Sequence, residues 1–119
     1  MLAGMHWARL RVTFELPLRR GAWYRVQDLG PLQTVVEVNN SSLPVPSAFL
    51  QVVDTPPRRW TVVPRPVGAV RIPDSWKRYA VCPSCRERVQ LERRPSAIQC
   101  PRCNGIFDVA WDDPDVVGP

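Results

Sequence analysis

Residues 82–103 decide how this chain is built. They open with Cys82-Pro83-Ser84-Cys85 and close with Cys100-Pro101-Arg102-Cys103, and the chain has no other cysteine. Two residues between the cysteines of each hook let one tight turn aim both sulfurs at a common point. The backbone N–H groups of such a turn can donate to thiolates and ease their mutual repulsion. Proline after each first cysteine narrows the turn before any ion arrives. Two such hooks supply four sulfurs for one tetrahedral ion, and Zn2+ is the expected occupant of Cys82, Cys85, Cys100 and Cys103. A dithiol redox pair and an iron centre are the other uses of such cysteines. Two matched hooks at this separation make poor sense as independent redox catalysts.

The sequence outside the hooks suits the same arrangement. The fourteen residues between them allow an out-and-back hairpin. Arg88, Gln90 and Glu92 alternate with Val89 and Leu91 along its first arm, Arg93-Arg94 lies near its tip, and 97–99 forms the returning arm. A third strand begins at Ile106 and ends near Trp111. Over residues 79–111 the chain resembles the zinc ribbons, on Val81-Cys82-Pro83-Ser84-Cys85-Arg86 and Gln99-Cys100-Pro101-Arg102-Cys103-Asn104-Gly105. The resemblance implies two knuckles between strands, joined by the metal. Glycine commonly follows the second cysteine in that group. Asn104-Gly105 fits this pattern, whereas Arg86 departs from it and leaves the turn of the first knuckle open.

Upstream, Leu10, Val12, Phe14 and Leu16 alternate with Arg9, Arg11, Thr13 and Glu15, the period of a strand with one buried and one wet face. Further strands are expected over 23–27, 32–38, 50–53 and 59–63, with polar turns at 28–31 and 39–42 and one helical turn near Ser47. Pro44 and Pro46 argue against a regular central strand between them. The fold class is therefore all-β. Residues 1–63 are read as a small antiparallel barrel-like domain, loosely SH3-like, although a sandwich fragment or open meander fits nearly as well. Residues 64–75 form a proline-rich extended connector that Val67, Val70 and Ile72 could anchor, 76–111 the zinc ribbon, and 112–119 an acidic tail.

The formal charge is +5, from 16 basic and 11 acidic residues. Four thiolates and a divalent ion together would bring it to about +3. Four of the acids, Asp108, Asp112, Asp113 and Asp115, follow the second hook, so residues 1–107 carry a formal +9. Lys77 is the only lysine. Arginine's planar fork suits phosphate and carboxylate recognition, while genome bias alone can also raise an arginine count. Arg86, Arg88, Arg93, Arg94, Arg102, Lys77, Arg78 and Trp76 are the candidate binding residues. They suit nucleic acid, DNA or RNA, gripped through its backbone, or alternatively a protein partner, with the chain as an adaptor or minor subunit of a larger complex. Of five tryptophans, Trp23 and Trp60 are expected in cores, and Trp76 and Trp111 either cover the ribbon or face a partner.

No enzymatic activity is expected. Four cysteine ligands leave no open coordination position for water, His6 is the only histidine, and there is no phosphate-binding glycine loop or nucleophile elbow. No apolar run approaches the roughly 20 residues that span a membrane. Reduced cysteines without a signal peptide point to the cytoplasm.

Overall fold

The computed structural model describes residues 5–12, 16–64 and 72–112. Nearly all its regular structure is β, in two five-stranded sheets that belong to two compact units, 1–57 and 58–119.

The first unit contains β1 (Trp7–Leu10), β2 (Tyr24–Asp28), β3 (Gln33–Val38), β4 (Ser41–Pro46) and β5 (Leu50–Val53), with a single 3-10 turn over Ser47–Phe49. Its sheet order is β4-β3-β2-β1-β5: the chain meanders outward from β1 to β4 and then returns to pair β5 antiparallel with β1. One of the two sheets of the chain is a curled half-barrel. Thr34 and Val36 on β3 and Val45 on β4 turn inward with Leu10, Tyr24 and Leu50. Asn39 and Asn40, both at positive φ (50° and 65°), make the two-residue turn between β3 and β4. That backbone matches the twist of a tight hairpin, and asparagine tolerates it.

Three expectations for this unit change. Segment 41–46, not among the expected strands, is the strand β4; it lies at the sheet edge, where a missing N–H breaks no inner ladder, so Pro44 and Pro46 still sit in no central strand. Strand β1 stops at Leu10, and residues 13–15 of the longer strand expected over 7–16 lie outside the described residues. Arg9, assigned to the wet face, is only 2% exposed. Its guanidinium lies 4.5 Å from the Trp23 ring centroid, and its Nε donates to Gln51 Oε1 at 2.7 Å. Stacking and a hydrogen bond thus replace much of the hydration that burial removes.

The second unit contains β6 (Arg59–Pro64), β7 (Arg78–Val81), β8 (Arg88–Gln90), β9 (Ala97–Gln99) and β10 (Ile106–Val109), in the order β8-β7-β6-β10-β9. The strand expected over 59–63 forms, but not as the closing strand of the first sheet. As β6 it is the central strand of the second, antiparallel to β7 and parallel to β10. Segment 64–75 is consequently the connection from β6 to β7 within one sheet. Ile72 is buried there as an anchor, while Val67 and Val70 lie outside the described residues. The hairpin expected between the hooks is also corrected. Strands β8 and β9 sit on opposite edges of the sheet, so Arg93 and Arg94 occupy a connection that crosses from one edge to the other. The hairpins are instead β7/β8 and β9/β10, each with a cysteine hook at its tip.

Trp60, fully buried at the middle of this sheet, packs with Ala80, Cys82, Leu91, Cys100 and Val109. Its indole Nε1 donates to Ile98 O at 3.0 Å, on a strand two places away. Strand β6 therefore completes the core beneath the cysteines. A fragment spanning 58–119 should fold when supplied with Zn2+ and give dispersed amide resonances. A fragment spanning 65–119, lacking β6 and Trp60, should not.

Candidate metal centre

The directions of three strands bring the hooks together. Because β7 is antiparallel to β6, β10 parallel to it and β9 antiparallel to β10, strands β7 and β9 run the same way. Both therefore deliver their first cysteine, Cys82 and Cys100, to the same end of the sheet.

The two knuckles match bond for bond. In the first, Arg86 N–H donates to Cys82 O at 3.1 Å and Cys82 N–H to Glu87 O at 2.8 Å. In the second, Asn104 N–H donates to Cys100 O at 2.9 Å and Cys100 N–H to Gly105 O at 2.8 Å. The left-handed residue closing each turn is Arg86 (φ 66°) and Asn104 (φ 63°). Arg86 thus adopts the same turn as its counterpart, at a cost of about 1–2 kcal/mol for a residue with a Cβ. Gly105 faces a different constraint. A Cβ there would lie 2.6 Å from the Phe107 ring, which packs against the core under the site.

The four Sγ atoms lie within 4.8 Å of one another. Cys82 and Cys103 approach to 3.7 Å and Cys85 and Cys100 to 3.5 Å, each pair drawn from different knuckles. An ion bound at about 2.3 Å by four thiolates separates neighbouring sulfurs by about 3.8 Å, so the cluster has the size of a tetrahedral metal site. The distances are far beyond the roughly 2.05 Å of a disulfide, and all four are free thiols. The cluster can hold a metal ion.

Electrostatics distinguish the sulfurs. Burial pushes the Cys82 thiol up to about 12, against the opposing hydrogen bonds of the Cys85 and Ser84 amides. Burial likewise raises Cys85. At Cys100 burial also favours the thiol, but the Cys103 and Arg102 amides together with hydrogen bonds from the Cys85 and Cys103 thiols outweigh it and bring the group down to about 7. In both knuckles the donors to the first cysteine are the second and third residues after it. Proline at the intervening position, Pro83 or Pro101, therefore removes no N–H that the sulfur uses.

The candidate binding residues separate to the two ends of the sheet. Arg86 and Arg102 lie in the knuckles, the first half-buried and the second exposed, and Arg88 is half-buried at the start of β8, 5.8 Å from the Tyr79 ring centroid. Lys77 and Arg78 at the start of β7, and Arg93 and Arg94 after β8, belong to the opposite end. Trp76 is half-buried, its backbone N–H donating to Pro73 O at 3.0 Å. Trp111 proves to be the organising residue there. Its Nε1 donates to Pro95 O at 2.7 Å, and its ring centroid lies 5.0 Å from the Arg78 guanidinium and 4.4 Å from that of Arg94. No sequence pattern paired those three residues. Of the acidic segment 112–119, Asp112 is the one described residue; its carboxylate accepts from Arg59 at 2.7 Å and is held below its ordinary pKa by that bond.

Among the described residues no helix is long and apolar enough to cross a membrane. Searches of family models, curated proteins and solved structures find no match to the chain.

Metal affinity should fall on acidification, because the ion binds thiolates only. A thiol raised by burial, such as Cys82, is still protonated at neutral pH and must release its proton on binding. Cys100, lowered to about 7, contributes a proton only below that pH. A plot of log affinity against pH, from competition with a chelator, should steepen as pH falls through about 7. Separately, Gly105→Ala should lower the urea midpoint by an amount equivalent to about 1–2 kcal/mol through overpacking. The loss should shrink when Phe107→Leu removes the ring.

Proposed function

We propose that this protein is a zinc-stabilised, non-catalytic accessory factor that contacts the backbone of nucleic acid through its arginines. Four thiolates in a site of tetrahedral size suit Zn2+ better than harder divalent ions, in keeping with the resemblance to zinc ribbons. With all four positions taken by cysteine the ion has no place for water or substrate, and its role is to hold the two hairpins together. Loss of a ligand is then loss of folding energy.

The observation that carries the nucleic-acid reading is the formal charge of +9 over residues 1–107, supplied almost entirely by arginine. Lys77, Arg93 and Arg102 are exposed, and such side chains can meet phosphates without choosing among base sequences. A second reading, an adaptor for another protein, draws on Leu32 and Ile106, 85% and 70% exposed on sheet strands or beside them. Large apolar side chains in those positions suit a partner surface.

Titrating zinc-loaded protein with labelled single- and double-stranded DNA and RNA at several salt concentrations separates these readings. Affinity should fall linearly on a log–log plot as salt rises, with little dependence on sequence. Absence of binding at low salt, together with one stoichiometric protein partner recovered from nuclease-treated extract, would favour the adaptor.

A further inference from the structure

The end of the second sheet away from the cysteines is built around one ring. Trp111 follows β10, and its indole N–H is committed to Pro95 O, which fixes the ring's orientation. Arg78, the first residue of β7, is placed by the β6 ladder opposite Pro64 and by the bond from Leu91 N–H to its carbonyl. Arg94 comes from the connection between β8 and β9. Three separate segments thus converge, and two guanidinium groups meet one neutral π-system.

Arg9 on Trp23 and Arg88 near Tyr79 are also cation–π contacts, but each is one guanidinium per ring, and Arg9 is buried with Gln51; Arg59 is paired with Asp112. Among the described residues Arg78 and Arg94 meet no carboxylate, and Arg93 and Lys77 adjoin them in sequence, both exposed. A guanidinium at an aromatic ring keeps in-plane N–H donors for other acceptors, and those donors match the spacing of phosphate oxygens. The ring limits the rotamers of both side chains beforehand, so less freedom is lost when an anion binds. Two cations held near each other favour a ligand that brings more than one negative charge. A phosphodiester backbone does so at regular spacing.

We propose that Arg78 and Arg94, positioned by Trp111 and flanked by Lys77 and Arg93, form the phosphate-contact site through which the second unit holds nucleic acid. This rests on the nucleic-acid reading above and names its surface. It also assigns Trp111 as a positioning residue rather than a stacking platform for bases.

The test uses full-length, zinc-loaded protein with a fluorescent oligothymidylate as probe. The variants are Arg94→Gln, Arg78→Gln/Arg94→Gln, and the charge-matched control Arg11→Gln/Arg25→Gln in the first unit, whose two arginines are exposed. Zinc content of each variant reports folding. The slope of log affinity against log salt should become shallower by about 0.7 for the single variant and about 1.4 for the double. The control should change it less. Equal losses in control and double variant, or an unchanged slope in the folded single variant, would overturn the site while leaving the nucleic-acid reading intact. Failure of the wild-type protein to bind any probe at low salt would remove that reading and this site with it. Retention of oligothymidylate affinity by the double variant, with loss of binding to an oligoglutamate peptide, would make the surface an acidic-protein site and likewise overturn the proposal.

Discussion

The second unit depends on bringing two hairpin tips to a common point while a strand lies between the hairpins. Strand β6 separates β7 from β10, so the two hooks do not belong to neighbouring hairpins. The parallel pairing of β10 with β6 makes the meeting possible. Were β10 antiparallel to β6, its hairpin would point to the opposite end of the sheet, roughly four residues or about 13 Å away. No single ion could then reach both hooks. The register Asp108 to Arg59 and Val109 to Trp60 is therefore as necessary to the metal centre as the cysteines. Without a cation, burial disfavours the thiolate form of Cys82 and Cys85, and bringing four thiolates together would set like charges against one another. An ion reverses the sign of both effects.

The cysteine site was legible because spacing alone nearly determines it. Two-residue hooks have few ways to point their sulfurs, and the matching hydrogen bonds in both turns show how little the remaining residues matter. Even Arg86 accepts the left-handed angle that Asn104 takes more easily. Strands β2, β3 and β5 were legible for a related reason, as each is a short β-rich run bounded by turn residues. Partnership was not. Nothing in 59–64 says which sheet receives it, because an apolar strand core such as Trp60-Thr61-Val62-Val63 suits the middle of either one. Strand β4 was hidden by its prolines, whose cost depends on edge or interior position, and position is a property of the finished sheet. The better indicator there was Asn39-Asn40, two residues that accept positive φ between two runs of six.

Arginine count proved a poor measure of available charge. Arg9 resides in a core and Arg59 is tied to Asp112, whereas Arg78 and Arg94 meet only a neutral indole. Lysine would serve badly in several of these places. Its compact, strongly hydrated ammonium lacks a flat face to lay against Trp23 or Trp111 and loses more hydration on burial. The near-absence of lysine is thus partly a structural requirement, whatever the genome's own preference. The surface charge open to a partner is smaller than the composition suggests; on the second sheet it is divided between the knuckle end and the Trp111 end, and Arg11, Arg19 and Arg25 expose more on the first unit.

Those two ends solve the same mechanical problem by different chemistry. At the knuckle end, the sulfur cluster joins the β7/β8 hairpin to the β9/β10 hairpin past the start of β6. At the other end, Arg78 from β7 meets Trp111 from the end of β10, and Trp111 in turn holds Pro95 ahead of β9. Each clamp links the same two hairpins across the same central strand. They differ in strength: ligation of an ion by the four cysteines would be strong and leave no open position, whereas cation–π contacts at a partly exposed ring contribute about 0.5–1 kcal/mol each. A unit held by an ion at one end could tolerate a weaker clamp at the other, and in that weaker clamp Arg78 and Arg94 have no carboxylate partner among the described residues.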